Sequence, residues 1–417
     1  MIAALRARPG LVLFVLAIVI GSVAALRAEL DEGAMTTFAL VSVIAMVLGE
    51  QLPMQISRQT LAPLMTAPAL GLALTPAAFD GARPSASTVL ALIWVSVLAG
   101  GLIARARGHS VVEGSIGARF LGLAATVLIV RGVSFDGRTL LDVAFGDVQP
   151  ATAAFLLLVA AVAGGLVERV LEALVAWLGE GRRLSRVLAD EGGPLTRIAA
   201  ATLTAGPLIA LAYPVVGWVA IPLLLLPVLL AYVAIRRVLA IRRALGEALL
   251  AMSRLSEVTG LTRPGHALRV ARLAVAIGQE MDLDAPALRQ LERTALLHDV
   301  GQLGLEEPLR DGVTLHAGPE AQERIAVVGT HVVGSSPQLA TLVPLLDHVR
   351  TPFRRSREFG AHIPLESRIV RVANAWDDIT EGARSPRVRE VALERLHLGL
   401  GYDYDPDVVT ALEQVVG

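Results

Sequence analysis

Leu296-Leu297-His298-Asp299-Val300-Gly301-Gln302-Leu303-Gly304 sets a histidine and an aspartate side by side at the end of an apolar helical stripe. Working back from it, Leu288, Leu291, Ala295 and His298 recur at steps of three and four, which places them on one face of a helix. Gly301 stands where a C-terminal cap belongs. Thr262-Arg263-Pro264-Gly265 breaks the pattern upstream, and His266, Val270, Leu273, Ile277 and Met281 mark the buried face of the helix that follows it. Seven of the eight histidines lie after residue 260. Imidazole beside carboxylate is a donor set for first-row divalent metals, and a metal-activated water is the chemistry such sets support.

Composition separates this region from what precedes it. The chain has 417 residues, 54% of them hydrophobic, with a mean hydropathy of +0.61, too high for a soluble protein of this size. The excess sits in residues 1 to about 235. There is no cysteine, which excludes disulfides and thiolate zinc sites. Lysine is absent as well, and all 37 basic residues are arginine, which fits a GC-rich genome. A net charge of −1 gives no reason to expect nucleic acid as a partner.

Apolar runs recur at Leu11–Leu26, Met35–Gly49, Leu61–Leu74, Val89–Ile103, Gly117–Val133, Ala151–Val167, Ile198–Leu211 and Val216–Ile235. They predict an all-α protein with a transmembrane bundle of about eight spans, the third and fifth short for the task. The first run has a basic start, Arg6 and Arg8, but further runs follow it, so it reads as a retained anchor rather than a signal peptide. With eight spans, one side collects Arg6, Arg8, Arg58, Arg105, Arg107, Arg119, Arg182, Arg183, Arg186, Arg197, Arg236, Arg237, Arg242 and Arg243. The other keeps Arg27, Arg83, Arg131 and Arg138. By the positive-inside rule this predicts an inner (plasma) membrane protein with its histidine-rich half in the cytoplasm. Carboxylates and histidines are scarce in the runs, which disfavours an ion-coupled transporter.

The predicted boundaries are a membrane domain over 1–235, a connecting signalling helix over 236–260 and an all-helical domain over 261–417. Along the connector, Val238, Ile241, Leu245, Ala248, Met252 and Leu255 follow a three-four spacing of about two and a half heptads. The stripe predicts either a homodimer seam or packing onto the domain it precedes.

The C-terminal residues carry a family resemblance. His266 in Gly-His-Ala-Leu-Arg-Val-Ala-Arg-Leu, followed by Leu-Leu-His298-Asp299-Val-Gly301, resembles the H…HD signature of the HD metal-dependent phosphohydrolases. Glu323-Arg324 through His331-Val-Val-Gly334, Ile363-Pro364 through Asp377, and Tyr404-Asp405-Pro406-Asp407-Val408-Val409 resemble further segments of its HD-GYP subgroup, in the same order. The resemblance covers about residues 250–417. It implies a helical domain around two or three divalent ions, usually iron or manganese, with magnesium or zinc as other options, that opens cyclic di-GMP with a metal-bound hydroxide. It further implies His298 and a bridging Asp299 as central ligands, with His266, His331 and His348 completing the set.

The sequence also departs from the family pattern. The lysine that would contact phosphate is Gln302, and the HHE segment reads Asp347-His348-Val349. The GYP loop is replaced by the arginine-rich stretch Arg350 to Phe359, in which Arg354 and Arg355 are candidate phosphate contacts. The usual ligand aspartate falls at Asn374, with Asp377 nearly one turn on as a substitute. His316 and His362 read as exposed loop residues, and His397 as a cation at a helix end. Taken together, the sequence predicts a membrane-anchored phosphodiesterase for a cyclic dinucleotide or other nucleotide, with Asp299 and Gln302 at its catalytic centre. The alternative is a catalytically inactive signalling or binding module of the same fold.

Overall fold

The computed structural model describes residues 8–28, 37–56, 59–76, 84–108, 112–180, 194–305, 309, 318–383 and 385–417. The chain divides into two compact units, Met1–Leu239 and Ala240–Gly417. Both are built from helices; the described strands form only two short antiparallel hairpins, Met54–Ile56 with Gln59–Leu61 and Ser134–Phe135 with Arg138–Thr139.

In the first unit each predicted apolar run contains a helix. The helices are α1 (Pro9–Leu26), α2 (Thr37–Glu50), α3 (Pro63–Leu74), α4 (Ala86–Ala106), α5 (Glu113–Val127), the short α6 (Leu140–Ala144), α7 (Pro150–Glu180), α8 (Pro194–Val216) and α9 (Ala220–Val258). Among the described residues five helical stretches are long and apolar enough to cross a membrane: Pro9–Leu26, Ala86–Ala106, Glu113–Gly132, Pro150–Gly179 and Ile198–Val258. At 14 and 12 residues, α2 and α3 measure about 21 and 18 Å, short of a hydrocarbon core about 30 Å thick. Helix α3 is buried from Pro63 to Leu74 except at Thr66. Its last carbonyls at Leu72 and Ala73, and that of Thr75, accept from the guanidinium of Arg131, which thereby caps a helix that stops inside the protein.

Small residues let these helices approach closely. A Cβ at Gly117 of α5 would meet the backbone of Leu13 and Phe14 at 2.7 Å, and one at Gly49 of α2 would meet Leu64 and Met65 at 2.4 Å. Phe38, Met46, Met65, Leu70, Ile93, Phe120, Leu157 and Ile209 fill the core between them. One position departs from the charge map. Arg119, counted among the inner-side arginines, is 1% exposed within α5 and pairs with Glu50 at 2.6 Å, while its other nitrogen donates to Thr60 O.

The second unit begins inside α9. Leu245, Leu249 and Met252 turn inward, against Leu297, Val300, Val333 and Leu346. Val238, Ile241, Ala248 and Leu255 stay exposed, so the predicted stripe is split between the two uses. Gly260 and Gly265 (φ +74° and +73°) turn the chain into α10 (His266–Glu280). Then come α11 (Ala285–Leu297, capped by the Asp284 carboxylate), a 3₁₀ turn (Val300–Gly304), α12 (Pro319–Gly334), α13 (Val343–His348), α14 (Arg354–Phe359), α15 (Leu365–Thr380), α16 (Pro386–Leu398) and α17 (Pro406–Val416). The core joins α10, α11, α15 and α17 through Val270, Ala274, Ile277, Leu291, Ala295, Val370, Trp376, Val408 and Leu412. Burying side chains of this size is worth about 1.5–3 kcal/mol each.

Candidate metal centre

Two helix ends and the body of a third helix bring the site together. The start of α10 supplies His266, the end of α11 His298 and Asp299, and the middle of α15 Asn374, Asp377 and Asp378. His266, His298 and Asp299 are 4%, 3% and 3% exposed. Gly301 places the dyad, but not as a helix cap. A Cβ there would lie 1.8 Å from Ile325 O and 2.9 Å from Gly329 N, so glycine allows the 3₁₀ turn to lie directly on the backbone of α12.

The hydrogen bonds fix which ring atoms face inward. His298 Nδ1 donates to Ala295 O at 2.7 Å; a carbonyl can only accept, so Nε2 of a neutral ring carries the lone pair. His266 Nδ1 lies 2.8 Å from Asp377 Oδ2, which orients that ring the same way. The two Nε2 atoms are then 3.4 Å apart, and Asp299 Oδ2 is 3.2 Å from each. Asn374 Oδ1 joins at 2.9 Å from His298 Nε2, its amide oriented by donation from Nδ2 to Asp378 Oδ2 at 3.3 Å.

Four acceptor atoms thus crowd one point, and Asp299 Oδ2 receives no aligned hydrogen bond. A proton on His266 or a metal ion at its centre relieves such an arrangement. Donors about 2.1 Å from one ion stand about 3.0–3.4 Å apart, which is the spacing found here. The imidazole, carboxylate and amide oxygen donors present fit a borderline-hard divalent metal.

Electrostatics agrees with this geometry. Burial alone would lower the His266 pKa, but Asp299 and Asp377 outweigh it and raise it to about 10. Burial would raise Asp299, yet its electrostatic interaction with His298 and its contact with His266 hold it well below the usual carboxylate range. Asp377 is likewise lowered against its burial, by His266 and by Arg269, whose guanidinium grips both its oxygens at 2.7 and 2.9 Å. Asp378 moves the other way, raised to about 6 by burial and by the nearby Asp299 charge.

The predicted site residues fall into two groups. Among the described residues, His266, His298 and Asp299 form the one group of three whose donor atoms converge, with Asn374 beside it and Asp377 behind His266. His331 is exposed on α12. His348 is half-buried and donates from Nδ1 to Pro344 O at 2.8 Å. Gln302 is fully buried, and neither its Oε1 nor its Nε2 has a partner. Arg354 stacks on Tyr402 at 4.2 Å and Arg355 leans on Phe359 at 5.5 Å. His362 is exposed, His397 bonds Glu413 at 2.6 Å, and His316 lies outside the described residues.

Two arginines that the sequence did not single out occupy the site instead. Arg350, there only the first residue of an arginine-rich stretch, is 12% exposed at its side chain. It donates to Asp299 Oδ1 and to His298 O, both at 3.1 Å. Arg371 donates to Arg350 O at 2.6 Å and to Asp403. With His298, Gln322, Asn374 and Tyr404 they line a solvent-open cavity of about 50 Å³. Burial lowers the pKa of both guanidiniums, and their mutual repulsion lowers Arg350 further. Arg371 was detectable in the sequence: positions 371, 374 and 378 repeat at three and four along α15. The C-terminal Tyr-Asp-Pro segment serves this face, because Asp405 caps α17 and pairs with Arg368 while Asp403 holds Arg371.

Comparison with known proteins gives the same domain. Residues 263–377 match the family model for the HD domain. A cyclic di-GMP phosphodiesterase of Thermotoga maritima is 26% identical over 176 residues, 40% of this chain and 48% of that protein. The cyclic di-GMP phosphodiesterase response regulator RpfG of Xanthomonas campestris pv. campestris is 27% identical over 158 residues, 34% of this chain and 41% of that protein. The chain therefore spans less than half the length of each relative. Its C-terminal part carries an HD domain of the phosphohydrolase family.

Proposed function

We propose that this is a membrane-anchored HD protein whose C-terminal unit binds a divalent metal and acts as a slow phosphodiesterase on a cyclic dinucleotide. The observation that carries the reading is the convergence of His266 Nε2, His298 Nε2, Asp299 Oδ2 and Asn374 Oδ1 on one point. A divalent ion held there would supply Lewis-acid charge and an acidified water. The chain's own residues do the remaining work. Asp377 and Ala295 O hold the two imidazoles in the tautomer that faces inward. Arg350 and Arg371 give the adjoining cavity a positive potential suited to a phosphodiester. The names of the two relatives support cyclic di-GMP as substrate.

Turnover should be slow. Gln302 and Val349 provide neither the charge nor the donors expected at those positions, and charge aimed at the phosphoryl group is usually the largest catalytic term. The salt bridge from Arg350 to Asp299 favours a second reading, a module that binds metal and nucleotide without hydrolysing it. The test is to load purified full-length protein with manganese and follow cyclic di-GMP binding and cleavage. Slow cleavage that disappears in Asp299→Ala supports the enzyme; binding without cleavage supports the second reading. If the protein holds neither metal nor nucleotide, both readings fail.

We further propose that the Met1–Leu239 unit sits in the inner membrane, with the HD domain in the cytoplasm and the membrane unit supplying a signal. The apolar helices and the arginine asymmetry support this. A homodimer is supported by α9, where Ile241, Ala244, Ala248, Ala251, Leu255 and Val258 are all exposed at heptad spacing.

A further inference from the structure

We infer that the centre takes one metal ion rather than two, because the Arg350 guanidinium stands where a second cation would have to bind Asp299. This rests on the reading of the donor cluster as a metal site. A carboxylate that bridges two ions about 3.5–4 Å apart through both oxygens gives one to each of them. Here Asp299 Oδ2 faces the two imidazoles, while Oδ1 already accepts from Arg350 Nη2 at 3.1 Å.

Arg350 is held in this position from both ends. Its Nη1 donates to His298 O at 3.1 Å, and its own carbonyl accepts from Arg371 at 2.6 Å. To free Oδ1, a buried guanidinium would have to give up its carboxylate, and uncompensated buried charges are strongly unfavourable.

A second ion would also lack donors of its own. The described residues hold no other converging group of three, His331 is an exposed side chain, and His348, whose Nδ1 donates to Pro344 O, has only its Nε2 to offer. Val349, next to His348, has no donor atom to give.

The charge inventory leads to the same result. With His266 neutral, as it is once an ion has displaced its proton, Asp299, Asp377 and Asp378 face Arg269 and Arg350, an excess of one negative charge. One divalent ion turns that into an excess of one positive charge; a second would leave three positive charges in a buried site. Arg350 therefore supplies a fixed positive charge that does not leave when the metal does.

The test uses full-length protein in detergent, stripped with chelator, loaded with excess manganese(II) and desalted. Elemental analysis should find one manganese per chain, and the electron paramagnetic resonance spectrum should be that of an isolated ion. Arg350→Gln removes the competing charge, and should tighten manganese binding by roughly tenfold or more. Two manganese per chain with an exchange-coupled spectrum would overturn the one-ion assignment and leave the metal reading standing. Binding that is unchanged or weaker in Arg350→Gln would overturn the role given to Arg350. No manganese retained by the wild type would instead remove the metal reading on which the inference rests.

Discussion

Metal affinity in this protein should climb steeply with pH, because an ion entering the centre must displace a proton from His266. With that imidazole raised to about 10, the ring is protonated at neutral pH and its Nε2 is unavailable as a donor. At pH 7 the gap is roughly three units, or about 4 kcal/mol at about 1.36 kcal/mol per unit, which holds affinity about a thousandfold below its alkaline limit. Between about pH 7 and about pH 8.5 the manganese dissociation constant should therefore fall by roughly thirtyfold, one proton being released per ion. Asp378, raised only to about 6, is already ionised across that window. In the metal-free chain the same group acts in the opposite sense. Its folded pKa lies above the unfolded value of 6.5, so its stabilisation is complete below pH 6.5 and is lost as pH rises through about 10. The loss approaches about 5 kcal/mol for a shift of this size. The assay is a manganese titration, read by electron paramagnetic resonance of the free ion, at several pH values. Asp377→Asn removes one of the two carboxylates that retain the proton, so its affinity curve should flatten at lower pH than the wild type's. An affinity that changes less than about twofold over the window, or an unchanged profile in Asp377→Asn, would refute His266 as a protonated donor.

Three further outcomes follow from the packing. Gly301→Ala forces a Cβ to within 1.8 Å of Ile325 O. It should destabilise the second unit by about 1–3 kcal/mol and weaken manganese binding, by thermal unfolding and titration of the full chain. Arg119→Leu leaves Glu50 buried without its partner and should lower thermal stability in detergent by an amount corresponding to about 3–5 kcal/mol. Arg119→Leu combined with Glu50→Leu should recover most of that loss, and a double variant no better than the single would contradict it. Because the chain has no cysteine, Ile241→Cys should cross-link between protomers under mild oxidation, whereas Leu249→Cys, buried at 2%, should not. Equal cross-linking at the two positions would argue against the α9 seam.

Periodicity carried much of the reading from sequence. Steps of three and four around His266 and His298 identified two core-facing helices, and the helix breaker at Pro264-Gly265 marked the start of the first. Those signals are local, and so were legible. Side-chain destinations that depend on partners far along the chain were not. Arg350 did not stand out from the other arginines of its stretch because its carboxylate is 51 residues upstream. Arg119 looked like a loop cation because Glu50, 69 residues away, is invisible to a window on α5. Gly301 had the spacing of a helix cap, and only the approach of α12 revealed its steric role. His331 and His348 sit at positions that match a family motif, yet the motif does not state which way a ring turns.

The contact between Gly301 and the main chain of α12 bears on how a site like this tolerates sequence change. The Asp299 position is set there by backbone resting on backbone, at Ile325 and Gly329, rather than by interlocking side chains. Neighbouring positions can then exchange lysine for glutamine or glutamate for valine without shifting the dyad. Binding geometry and catalytic equipment become separable traits, one written in the main chain and the other in replaceable side chains. A protein built this way can drift between hydrolysing a ligand and merely reporting it, with the same centre in place throughout.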